Sequence, residues 1–107
     1  MMIFKDDAGL GPAVTEKLKM VFDPEIPVDI YELGLVYEVE TRTDGDIKVL
    51  MSLTAPNCPA ADLIIRDVEA RLKEIPGVRD VRIEITFDPP WDQEMMSEEA
   101  RLELGFL

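Results

Sequence analysis

The sequence predicts a two-layer α+β domain in which helices cover a small mixed or antiparallel sheet. Three observations predict it. Asp44-Gly45 separates two stretches of alternating polarity, a long run of helical periodicity follows the second stretch, and another alternating stretch follows a Pro76-Gly77 break. The resulting order is helix, β-hairpin, helix, strand, helix. A chain of 107 residues has room for one modest core and no second one.

Residues 1–11 carry no sustained apolar run and contain Asp6 and Asp7, so they read as a lead-in and not as a signal peptide. Residues 12–107 then make up the single domain. Val14, Leu18, Val21 and Phe22 fall at helical spacing behind Pro12, which suits a first turn, and predict a helix over about 12–22. Pro24 cannot continue that helix, and Pro27 keeps the next residues extended or turned. Asp29, Glu32 and Gly34 have the spacing of a one-turn helix with an acidic N-cap and a glycine stop. Residues 36–43 and 46–53 read as hairpin strands around Asp44-Gly45. Alternation puts Ile47, Val49, Met51 and Leu53 on the core face, with Tyr37 and Val39 as the partner face. The helix after residue 59 turns Ala61, Ile64, Ile65, Val68, Leu72 and Ile75 inward. Its outer side offers Asp62–Arg66, Asp67–Arg71 and Glu69–Lys73, pairs worth only about 0.3 kcal/mol each. Val81, Ile83, Ile85 and Phe87 define a third strand, parallel to the second because one crossover helix joins them. Either hairpin strand is available as its neighbour. Asp88-Pro89-Pro90-Trp91 breaks the strand, and Ser97 is placed to cap a short final helix.

Composition narrows the partners. The net charge is −12, from 23 acidic and 11 basic residues. Such a surface repels phosphate backbones and anionic head groups, which argues against nucleic acid and membrane. No segment reaches transmembrane length. The single cysteine cannot form an internal disulfide, which fits a reducing compartment and makes the cytoplasm the expected location.

That cysteine, Cys58, lies in Thr54-Ala55-Pro56-Asn57-Cys58-Pro59, on the turn from strand to long helix. Pro59 suits a first helical position and pushes Cys58 toward extended geometry, the backbone of an N-cap residue. Unpaired N–H groups and the positive helix end would then lower the thiol pKa and favour the metal-binding thiolate. The alternative is an inert, packed cysteine. Asp23-Pro24-Glu25-Ile26-Pro27 is the second concentration of special residues. Two prolines hold its carboxylates in a defined place, or else it is a plain helix stop with solvated acids. Trp91 is costly to leave wet, so it covers the core or joins a partner surface. The tail beyond it, with Met95, Met96, Leu102, Leu104 and Phe106, is too apolar to dangle.

The residue inventory restricts the chemistry. Nucleophilic catalysis by Cys58 wants a base, usually histidine, and the chain has none. An enzyme is therefore not expected. Structural zinc wants four Cys/His-type ligands, and ordinary iron–sulfur clusters want four thiolates or close substitutes. One thiolate per chain means no tightly bound metal cofactor. Iron or a cluster would be held transiently, shared between subunits of a homodimer, with a client, or with small thiols.

The runs DPEIPVDIYELGLVYEVE, LTAPNCPAADLI and IPGVRDVRIEITFDPPW closely resemble the small iron–sulfur cluster assembly domain family that includes SufT and PaaD. The eukaryotic cytosolic iron–sulfur targeting factors are related to it. The resemblance spans about residues 12 to 107, and the tail DPPWDQEMMSEEARLELGF is most similar to the SufT branch. It implies an accessory role in maturing iron–sulfur proteins, with scaffold or carrier proteins and apo-clients as partners. The implied functional thiol is Cys58, supported by Thr54 and Asn57 in its loop and by Asp23 and Glu25. Three readings stand at this point: a maturation factor whose Cys58 touches metal or cluster, an adaptor linking scaffold to clients through the DPEIP loop and Trp91, and a small cysteine-dependent enzyme.

Overall fold

The structure, a computed structural model, describes residues 2–24, 26–55 and 59–105. A four-stranded mixed sheet is built from β1 (Ile3–Asp6), β2 (Val36–Thr41), β3 (Asp46–Met51) and β4 (Asp80–Ile85), in the order β1-β2-β3-β4. The β1–β2 and β3–β4 pairs are parallel, and β2–β3 is the antiparallel hairpin. Helices α1 (Gly11–Leu18), α2 (Ile30–Leu33), α3 (Ala61–Lys73) and α4 (Glu98–Glu103) complete the fold with a short 3₁₀ turn, Gln93–Met95. The third expected strand pairs beside β3, which settles the neighbour that alternation had left open.

The core forms where apolar periodicities of helix and sheet meet. Val14 and Leu18 of α1 and Val68 and Leu72 of α3 are fully buried, as are Val39, Val49 and Met51 of the hairpin. Ile47 and Leu53 are also buried, so the predicted core face of β3 holds throughout. Tyr37 departs from the expectation. A β-bulge between Val36 and Glu38 shifts the register, so that Val36 pairs with Met51 and Val39 with Val49. Val36 and Val39 therefore share the buried face, and Tyr37 is only half-buried. Simple alternation cannot announce an inserted residue.

Two ends differ from the sequence expectation. Residues 3–6, read as lead-in, are an edge strand too short for its periodicity to register. Asp6 fixes its exit: the carboxylate accepts from Leu10 N–H (2.8 Å), Gly11 N–H (2.9 Å) and the Thr41 hydroxyl (2.6 Å). It thereby supplies the side-chain bonds that Leu10, the residue capping α1, cannot. Helix α1 ends at Leu18, short of the expected residue 22. Lys19, Met20 and Val21 N–H groups bond back to Thr15, Lys17 and Leu18, so a tightened turn buries Val21 while Phe22 swings out to bridge Asp29. Helix α3 keeps Asp67–Arg71 and Glu69–Lys73 as ion pairs at 2.8 and 3.0 Å; Asp62–Arg66 is not among them. Ala61 and Ile65 are half-buried rather than core.

The C-terminal segment docks on α2. Asp29 caps that helix as expected, accepting from Glu32 N–H, and Gly34 ends it with φ 78°. The orphan carbonyls of so short a helix need partners. The Trp91 indole donates to Leu33 O (2.8 Å) and Ser97 N–H donates to Glu32 O (2.8 Å). Ser97 in turn caps α4 through Ala100 N–H (3.1 Å).

Candidate functional site

The loop that carries the cysteine leaves the carboxyl end of β3. Its entrance is fixed on both flanks. Met51 O accepts from Thr86 N–H beyond β4, and Ser52 N–H donates to Leu35 O, each at 2.8 Å. Ser52 is fully buried and Leu53 nearly so, which anchors the chain up to Thr54. Thr54 is half-buried and Ala55 exposed in a bend, and the chain re-enters as a turn at Pro59-Ala60. Cys58 and Asn57 lie outside the described residues.

Ala60, and not Cys58, caps α3. Its backbone is at φ −91°, ψ 4°, it offers no side-chain cap, and its carbonyl accepts the first helical bond from Ile64 N–H (3.0 Å). Pro59 belongs to the turn before the helix rather than to its first position. A proline's fixed φ serves a turn as well as a first helical residue, so the sequence alone does not separate the two. Cys58 stands two residues before the cap, and a depressed thiol pKa loses the N-cap argument that supported it.

In the DPEIP loop the structure describes one of the two carboxylates. Asp23 is 5% exposed and held in a polar interaction. A carboxylate is not taken out of water without compensation. The loop around it is closed by Ile26 N–H to Asp23 O (3.3 Å), Val28 N–H to Ile26 O (2.7 Å) and Ile30 N–H to Val21 O (2.8 Å). Ile26 packs on the core. Glu25 lies outside the described residues. Trp91 packs half-buried on the core while its N–H donates to Leu33 O.

Sequence reasoning missed a groove beside this loop, about 360 Å³ in volume, between residues 22–32 and α4. Its lining combines Phe22, Pro27 and Val28 with Asp29, Glu32, Glu99 and Glu103. Burial pushes the Asp29 carboxyl above its ordinary value and the Glu32 charge adds to this, against the N–H bond it accepts from Glu32. The only advance signal was the density of acids after Ser97. A second cavity of about 450 Å³ lies between β1, α2 and the tail, with Tyr37 donating to Pro89 O (2.9 Å) at its wall. Among the described residues no three His, Cys, Asp or Glu side chains converge to hold a metal.

Residues 12–85 match the model of a family described as iron–sulfur cluster assembly protein. A Porphyromonas gingivalis protein called "Fe-S protein maturation auxiliary factor" is 55% identical over 88% of this chain and 90% of its own. The Staphylococcus aureus "Fe-S protein maturation auxiliary factor SufT" is 44% identical over 80% of this chain and 98% of its own. Among solved structures, a domain of unknown function from Bacillus anthracis superposes with a TM-score of 0.86 at 34% identity, covering 92% of this chain and 94% of that one.

Proposed function

The chain belongs to the iron–sulfur cluster assembly protein family, and from that premise we propose that it is an accessory factor in iron–sulfur protein maturation. In this reading Cys58 is the soft ligand that transiently takes part in passing iron or a cluster from an assembly scaffold or carrier to an apo-client. The observation that carries the reading is the 55% identity, over 88% of this chain, to a protein named for that role. Chemistry supports the finer part. The chain has one thiol and no histidine, so it offers a single thiolate and cannot enclose a cluster alone. A ligand that cannot complete a coordination shell suits cargo that must leave again. Residues 52–55, which precede Cys58 in the sequence, leave the carboxyl end of β3 beside its parallel partner β4, the end at which open α/β sheets commonly hold ligands.

Thr54 and Asn57 would shape that loop, while Asp23 and Glu25 would hold the neighbouring turn. Asp23 supports this by its burial, since a surface acid would have no reason to be enclosed. Transfer from a cluster-loaded donor to apo-ferredoxin, read by visible absorption, tests the reading. Wild-type protein should accelerate the transfer, and Cys58→Ala should remove the acceleration. An undiminished Cys58→Ala protein would leave the adaptor reading, in which the chain brings donor and client together without touching the cargo.

A further inference from the structure

We propose that the groove between the 22–29 loop and α4 docks a basic segment of a partner protein, an apolar side chain seating on Phe22 and Pro27 while lysines or arginines meet the carboxylate rim. This deepens the maturation-factor reading, on which it rests, by giving its partner a chemistry. The floor is apolar and one part of it is left open: Val28 and Ala100 are buried, but Phe22 is 53% exposed. An exposed ring in a concave, partly apolar setting is the kind of anchor point that interfaces use. The rim supplies four carboxylates, Asp29, Glu32, Glu99 and Glu103. Lys19 approaches one of them, Glu32, at 3.9 Å and also lies over the Tyr31 ring. Asp29, Glu99 and Glu103 have no cation within 4.0 Å among the described residues.

That charge chooses the occupant. A second copy of this chain carries a net charge of −12 and would bring like charge to an acidic rim. A bare metal ion finds no convergent set of three ligands there among the described residues. A segment that is basic around an apolar residue satisfies both floor and rim. Phe22 precedes buried Asp23, so the docked partner would lie on the same loop as the candidate site residues.

The test uses the full chain and a fluorescein-labelled hexapeptide of two leucines flanked on each side by two lysines. Amide shifts on titration should cluster at Phe22, Val28, Asp29 and Ala100, and affinity should fall with added salt. The double variant Glu99→Lys/Glu103→Lys should weaken binding at least tenfold, as should Phe22→Ser or a peptide with serines for leucines. A control of equal charge change elsewhere, Glu69→Lys/Glu84→Lys, should weaken it less than threefold. Shifts spread over the whole acidic surface, an equal loss in the control, or no binding would each overturn the proposal. Absence of peptide binding with normal Cys58-dependent transfer overturns the groove alone. Peptide binding that maps to the groove, with transfer unaffected by Cys58→Ala, overturns the thiol chemistry alone.

Discussion

Gly34 meets two demands at one position. Its backbone is left-handed (φ 78°), and a Cβ there would fall onto the Met95 carbonyl of the docked tail. Gly77 shares the first demand (φ 92°) but has open space where a Cβ would sit. Gly77→Ala should therefore cost about 1–2 kcal/mol for backbone strain alone. Gly34→Ala should cost about 1–3 kcal/mol more, the penalty of overpacking. Urea unfolding of both variants checks this, and equal losses would mean the tail does not press on Gly34. Asp6 carries a second residue-level prediction. The Thr41 hydroxyl, the largest effect, holds its carboxyl below the ordinary 3.8; burial opposes it as the second-largest, and the N–H groups of Gly11, Leu10 and Gly9 each add a smaller lowering. A depressed folded-state pKa contributes stability that is present above the unfolded value and lost as pH falls through the folded one. Asp46, held low by Arg79, acts in the same direction, whereas Asp29, held high, acts in the opposite one; both are common to wild type and variant. Between about pH 5 and pH 3 the urea midpoint should thus fall more steeply in wild type than in Asp6→Asn. Parallel curves would contradict the role given to Asp6.

The tail holds α2 and part of the core in place. Trp91 and Ser97 satisfy the carbonyls of Leu33 and Glu32, while Met96 and Ala100 are buried against the core. Deleting residues 88–107 should expose apolar surface, raise binding of a hydrophobic dye and lower solubility. A truncated chain as soluble and as stable as the full one would contradict its packing. Within the tail, Ser97→Ala should remove one cap and cost about 1 kcal/mol. Much at this scale was legible beforehand. Asp29 and Gly34 announced α2, Asp44-Gly45 announced the hairpin, Ser97 announced α4, and the inward residues of β3 are all buried. The features that were not legible have physical causes. Four residues of β1 are too few to show a period, the bulge at Tyr37 breaks the one that β2 shows, and Pro59 fits a turn and a helix start equally well. The burial of Asp23 and the groove beside Phe22 depend on which distant segments pack together, which local pattern does not encode.

At the scale of the whole molecule, helices α1 and α3 and the sheet share one core, and the full sequence supplies a single thiolate, Cys58. Aerobically purified protein should accordingly contain well under one tightly bound iron per chain, by metal analysis. A stable stoichiometric cluster in a demonstrated monomer would contradict that. Because Ala60 caps α3, replacing Cys58 removes no cap, and Cys58→Ser should change stability by less than about 0.5 kcal/mol. The loss it causes can then be assigned to chemistry. The most direct measurement is client activity in cells lacking this protein, complemented by wild type or by Cys58→Ser at equal abundance. Wild type should restore the activity of an iron–sulfur enzyme, and the serine variant should restore little or none. Full restoration by a well-folded Cys58→Ser protein would contradict a role for the thiol.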